Sequence, residues 1–136
     1  MIIATLGLAA ATMIAASATP SAAAKPPPMD YVEFVVRDIA RTKAFYSAVF
    51  GWKFTDYGAG YTSFEDNGLG GGFTTDGSPS PGGPLMVFHV DDLEVTLARA
   101  KSAGAQIVKP IFSFPGGRRF QLKDPDGYEI AAWTLE

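Results

Sequence analysis

Between Tyr31 and Val36 the chain reads Tyr-Val-Glu-Phe-Val-Val, rich in β-branched and aromatic residues, which predicts a strand. Asp38 follows as a helix cap, and Ile39, Thr42, Tyr46, Val49 and Phe50 then recur at the spacing of one helical face. That helix should run to about Phe50 and close on Gly51 in the left-handed conformation. Three short strands are expected next, near residues 53–56, 60–65 and 69–75. The plan then repeats. A strand at residues 85–90 leads to a helix that Asp91 opens in a capping box with Glu94, with Leu93, Leu97 and Ala100 facing a sheet and Gly104 ending it. Further strands are expected near residues 106–112, 118–123 and 128–134. The Gly-, Ser- and Pro-rich stretch from Asp76 to Pro84 is the connection between the halves.

The repetition is visible in the residues themselves. Val36-Arg37-Asp38-Ile39 recurs as Val90-Asp91-Asp92-Leu93, an offset of 92 − 38 = 54 residues, and Glu65-Asp66-Asn67-Gly68 is matched by Asp124-Pro125-Asp126-Gly127 at 127 − 68 = 59. Two copies of a βαβββ unit therefore account for residues 29–136. The fold class is α+β: a concave mixed sheet with helices on its outer face and a small-molecule cleft between the modules.

The first 24 residues follow a different rule. Residues 1–18 are rich in Ala, Ile, Leu and Met without a charged side chain, and Ala16-Ser17-Ala18 or Ala22-Ala23-Ala24 offers a small-residue cleavage site. Residues 1–24 are expected to be a signal peptide, which implies a secreted or periplasmic protein with no stable membrane span after processing. The absence of Lys or Arg before Lys25 leaves a cytoplasmic location as the alternative. Lys25-Pro26-Pro27-Pro28 is a stiff spacer.

Composition narrows the chemistry. With 136 residues, 47% of them hydrophobic, the chain can bury a core, and with no cysteine it has neither disulfides nor thiolate chemistry. A net charge of −3 with scattered basic residues argues against nucleic acid as a partner. Strand parity then selects cleft residues. If Val32, Phe34 and Val36 pack on the helix, then Tyr31, Glu33 and Val35 face the cleft. The same logic places Leu85, Val87 and His89 there in the second module. Glu33, a carboxylate within an apolar strand, calls for a partner, with Arg119 the expected one, or else for ligand contact or acid–base work. His89 is the single histidine and a candidate ligand or general base, its alternative being a strand-end residue satisfied by a carbonyl. Arg119 and Gln121 alternate with Phe120 and Leu122, so they share the polar side of their strand. Arg118 and Arg119 are either an anion clamp or a solvated edge. Tyr31 and Trp133 could stack on a flat ligand, whereas Phe45, Phe50 and Trp52 suit core or interface. Gly70-Gly71-Gly72 is no phosphate loop, and its missing side chains leave room or let another backbone approach.

Val36-Arg37-Asp38 leading into Lys43-Ala44-Phe45-Tyr46, then Val49-Phe50-Gly51-Trp52 and the closing Asp124-Pro125-Asp126-Gly127, resembles the vicinal-oxygen-chelate superfamily of glyoxalases, extradiol dioxygenases and bleomycin-resistance proteins. The likeness covers about residues 29–133, and the Phe-Gly-Trp helix ending is most similar to the glyoxalase-related branch. Metal-dependent members place His, Gln or Glu ligands at four cleft positions. The resemblance carries these to Tyr31, Gly72, Leu85 and Ala131, none of which supplies a usual donor. No metal and no other cofactor is therefore expected. The resemblance implies a small-molecule ligand and a homodimer, and strand parity with side-chain chemistry gives Tyr31, Glu33, His89, Arg119, Gln121 and Trp133 as the residues expected to hold that ligand. The leading expectation is metal-independent binding of an apolar or aromatic molecule. The alternative is a lyase, isomerase or dioxygenase reaction on a small metabolite, with Glu33 or His89 as the catalytic base.

Overall fold

The computed structural model describes residue 26 and residues 29–65 and 68–136. The leader, the rest of the spacer, and Asp66 and Asn67 of the first turn landmark lie outside the described residues. The elements run β1 (Tyr31–Val35), α1 (Ile39–Phe50), β2 (Lys53–Asp56), β3 (Tyr61–Glu65), β4 (Gly70–Thr74), β5 (Met86–His89), α2 (Leu93–Ser102), β6 (Gln106–Phe114), β7 (Gly117–Lys123) and β8 (Glu129–Leu135). Two four-stranded mixed sheets result, ordered β1-β4-β3-β2 and β5-β8-β7-β6, each with one parallel pair between its first and last strands. The duplication read from the offsets is thus a duplication of topology. It extends to single bonds, since Val36 N donates to Thr74 O at 2.8 Å and its counterpart Val90 N donates to Trp133 O at 2.9 Å.

Each helix begins and ends for a local reason. The Asp38 carboxylate accepts from Arg41 N, and Gly51 closes α1 at φ 70°, a left-handed conformation that strains any residue with a Cβ. The second cap departs from expectation. Asp92, not Asp91, caps α2 by accepting from Val95 N, and Glu94 does not close a box but pairs with Arg118. Glu94 lies only two positions after this cap, whereas a reciprocal box needs a residue three positions on.

The helices cover one face of each sheet. Tyr46 and Val49 of α1 and Leu93 and Ala100 of α2 are buried in one core with Phe34, Phe64, Phe73, Phe120, Leu122, Ile130 and Ala132. Phe50 and Trp52, expected to suit a core or an interface, are half-buried inside the chain, where both rings meet Phe88 of the second module at 5.1 and 5.0 Å.

The Asp124–Gly127 turn locks the modules together. Asp124 Oδ1 accepts from the backbone N–H of Asp126 and of Tyr128, and its Oδ2 accepts from the buried Tyr46 hydroxyl at 2.9 Å. Burial raises the Asp124 carboxyl above the ordinary carboxylate range, and these three bonds only partly oppose it. Burial first, and then the neighbouring Asp124, push the Tyr46 hydroxyl up, so it stays protonated as the donor. Asp126 Oδ1 accepts from Arg37 N and Arg41 Nη2, both at 3.2 Å. The Tyr128 hydroxyl donates to Val35 O and accepts from Ser80 N, joining β1, the connection and β8.

Candidate functional site

The sheet faces turned away from the helices carry the chemistry. On the first module, Tyr31, Glu33 and Tyr61 form one cluster. Tyr61 Oη donates to Glu33 Oε2 at 3.1 Å and shares a short hydrogen bond with the Tyr31 hydroxyl. Burial, followed by these two bonds, pushes the Tyr61 phenol well above its ordinary value, which keeps it a neutral donor and Glu33 its acceptor. Gly72, paired with Glu33 in the parallel ladder, is what makes the cluster possible. A Cβ at Gly72 would fall 2.8 Å from the Tyr31 hydroxyl and closer still to that of Tyr61, so the two phenols occupy the room a side chain there would need. Gly71 answers to the other expectation for this run, because a Cβ there would press into the Phe64 ring and the Val32 carbonyl.

Glu33 therefore does not pair with Arg119. The two lie on different sheets, and the phenol two residues before Ser63 supplies the partner instead. Nor do Arg118 and Arg119 form a clamp. Neighbours on a strand point to opposite faces, so Arg118 reaches Glu94 on the helix side while Arg119 stays on the open side.

On the second module the ladder registers lay out rows across the open face. Phe112, Arg119, Trp133 and His89 stand opposite one another on β6, β7, β8 and β5, and Lys109, Gln121, Ala131 and Val87 form the adjacent row. His89 meets the Trp133 ring edge-on at 5.0 Å. The Arg119 guanidinium lies over Phe112 at 5.0 Å and Phe114 at 5.5 Å. Gln121 Nε2 donates to Glu129 Oε1 at 2.9 Å. A crevice of about 350 Å³ connects the halves, lined by Glu33 and Val35 on one side, Leu85 and Glu129 on the other, and Gly82 to Pro84 along its rim. A larger hollow of about 690 Å³ on the helix side, between Ala44, Ala48 and Gly104, contains none of these residues.

Of the sequence candidates, Tyr31 and Glu33 come together on the first module and His89, Arg119, Gln121 and Trp133 on the second. Tyr61, Phe112, Phe114 and Lys109 are not among them. Tyr61 had a legible signal, since it shares the parity of Ser63 in an expected strand. Phe112 and Phe114 did not, because irregular register between Ile107 and Phe112 breaks the alternation on β6. Donors for a divalent ion do not fit the four positions given by the resemblance. Tyr31 is engaged by Tyr61, Gly72 and Ala131 have no donor, and Leu85 lines the crevice with a hydrocarbon. Among the described residues no three His, Asp or Glu side chains converge as an ion would require. No helix among them is long and apolar enough to cross a membrane.

A family model described as Glyoxalase/Bleomycin resistance protein/Dioxygenase superfamily matches residues 29–132. Among solved structures, a glyoxalase/bleomycin resistance protein/dioxygenase family enzyme from Burkholderia phytofirmans PsJN is 20% identical with a TM-score of 0.70, covering 81% of this chain and all of that one. A glyoxalase-related enzyme from Fulvimarina pelagi is 20% identical at TM-score 0.68, covering 79% of this chain and 87% of that chain. TioX from Micromonospora sp. ML1 is 22% identical at TM-score 0.65, with 81% and 100% covered. At these identities the likeness is one of fold. A curated tRNA (guanine-N(1)-)-methyltransferase from Stutzerimonas stutzeri is 45% identical over 58 residues, which are 43% of this chain and 22% of that protein's length. With the duplicated βαβββ topology and a match spanning both modules, this chain belongs to the glyoxalase/bleomycin resistance protein/dioxygenase superfamily.

Proposed function

We propose that this domain binds a small apolar or aromatic molecule on its open sheet faces without a metal ion. The observation that carries the reading is the filled first-module position: the Tyr31 and Tyr61 hydroxyls occupy the room over Gly72, where metal-dependent relatives are expected to hold a ligand side chain. The second module offers Trp133, His89 and Phe112, surfaces suited to a flat molecule, with few polar groups to orient it. Methyl transfer to tRNA is not carried over from the curated relative. A net charge of −3, with Arg37, Arg41, Lys43 and Arg118 already paired to carboxylates, supplies little cation for a phosphate backbone.

Thermal-shift screening of the purified domain against aromatic metabolites and antibiotics tests the reading. A ligand at a hundred times its Kd adds about 2.7 kcal/mol of stability, a readily measured shift. Zinc, nickel, manganese and iron should give none. One tightly held ion per domain, lost on replacing Glu33 or His89, would overturn metal independence. The hydrogen-bonded Tyr31–Tyr61–Glu33 chain favours a second reading, proton transfer in an isomerase or lyase reaction, with Glu33 as the base. Its mark would be turnover that Glu33→Gln abolishes while ligand affinity stays within about threefold.

A further inference from the structure

On the open-face side of β7 the second module has two buried polar atoms without partners among the described residues, Arg119 Nε and Gln121 Oε1. They differ in kind. Nε is a donor on a permanent cation, whereas Oε1 is an acceptor. The orientation of the Gln121 amide follows from chemistry, since the Glu129 carboxylate only accepts and so must face Nε2, leaving Oε1 on the other side. Gln121 is only 4% exposed, so a missing partner there is costly. Among the described residues Arg119 has ring contacts but no carboxylate partner, and Lys109 Nζ leans toward the same Phe112 ring at 6.0 Å, also without one. Two cations are thus gathered beside Phe112. The carboxylate on this face, Glu129, belongs to the ladder pair beyond Gln121, four residues along β8 from Trp133.

We propose that the occupant of this face is a planar aromatic acid whose carboxylate meets Arg119 and whose far end carries a hydroxyl or N–H that donates to Gln121 Oε1. The proposal rests on the binding reading above and names its ligand class. Positions two apart on one strand face are separated by about 7 Å along the backbone, a spacing on the scale of one or two fused aromatic rings. The ligand's polarity matches the rows: the anion lies with Arg119 and the Phe112 and Trp133 rings, and the donor lies toward Gln121. Trp133, opposite Arg119, supplies the stacking surface.

Isothermal calorimetry with matched probes tests this. The first set is 4-hydroxybenzoate, its neutral amide 4-hydroxybenzamide, and 4-methoxybenzoate, which lacks the donor. The corresponding 6-hydroxy-2-naphthoate set covers a larger ring. Each acid should bind at least tenfold tighter than its amide and at least threefold tighter than its methyl ether. Arg119→Gln should bring acid and amide within twofold of each other while amide affinity persists, which also reports an intact face. Gln121→Met should erase the hydroxyl preference alone. In the unmodified domain, raising salt should weaken the acids and leave the amides unchanged, a readout that needs no variant to fold. Equal affinity for acid and amide, with both binding, would overturn this inference and leave the binding reading standing. Absence of binding by every aromatic probe, charged or neutral, would overturn both.

Discussion

Tyr46→Phe removes one oxygen atom from the core and with it one of the three donors to the Asp124 carboxylate. The ring remains, with its stacking on Trp52 at 4.8 Å and its tilted contact with Phe73 at 4.9 Å, so the change leaves the packing in place. What disappears is the 2.9 Å bond to Asp124 Oδ2, in a site where Tyr46 is fully buried and Asp124 is 5% exposed. A hydrogen bond to a charged acceptor contributes about 2 kcal/mol, and no water replaces it freely at such burial. In a domain of this size that corresponds to a drop of about 8 °C in Tm. The pH dependence gives a second check. The folded Asp124 carboxyl lies above its unfolded value because burial opposes its charge, so the native state holds the proton more tightly. That contribution to stability is full below the unfolded carboxylate range, about 4, and is lost as pH rises through the folded value. Losing the Tyr46 donor raises the folded value further, so the variant should lose stability over a longer pH interval. The gap between the two proteins is expected to widen from acid to neutral pH. Urea titrations of both proteins at several pH values would measure it. A gap below about 0.5 kcal/mol at neutral pH, or one that grows toward acid, would refute the assignment of Asp124 as a buried, charged acceptor.

The glycines of β4 should rank by what their added methyl would strike. Gly71→Ala meets the Val32 carbonyl and the Phe64 ring, neither of which can move without shifting the sheet, and should cost more stability than Gly72→Ala, which meets only the ends of two tyrosines; equal Tm losses would contradict this. Gly72→Ala should nevertheless separate Tyr31 from Tyr61, visible as a lowered Tyr61 titration midpoint by ultraviolet absorbance, because one cause of its upward displacement is removed. Assembly into a homodimer is expected by light scattering, and a monomer mass at working concentration would count against it. Export is expected to leave a mature chain starting near Thr19 or Lys25, and N-terminal sequencing from the native host that returned Met1 would exclude cleavage.

How far the sequence could be read depended on whether a feature was periodic or pairwise. Periodicity locates the ten elements of the described residues, and strand parity places Tyr31, Glu33, Arg119, Gln121 and Trp133 on open faces, because alternation is a property of a single strand. Pairing was another matter. Glu33 finds Tyr61 rather than Arg119, and Arg118 finds Glu94, because which strand lies beside which is decided by sheet order, and each module closes its own sheet. Phe50 and Trp52 look uncovered in the sequence of one module, yet Phe88 of the other covers them. The cap falls on Asp92 rather than Asp91 for a smaller reason: two adjacent aspartates satisfy the same pattern, and only the backbone tells which has extended φ and ψ.

The residues that make the family recognisable are those that hold the frame, and this separates fold from chemistry. Asp38 caps α1, Tyr46 donates to Asp124, Gly51 turns the chain out of the helix, Trp52 stacks on Tyr46, and Asp126 binds the backbone of Arg37 and the side chain of Arg41. Every one of these contacts lies on the helix side or at the seam between modules. None reaches the faces that carry Glu33, Tyr61, Arg119 or Trp133. A side chain on an open face can change without loosening that frame, since its neighbours across the ladder are other open-face residues. Family membership therefore fixes the scaffold here, while the ligand proposed above rests on groups outside the motifs, above all the Arg119 and Gln121 atoms of β7 that have no partner among the described residues.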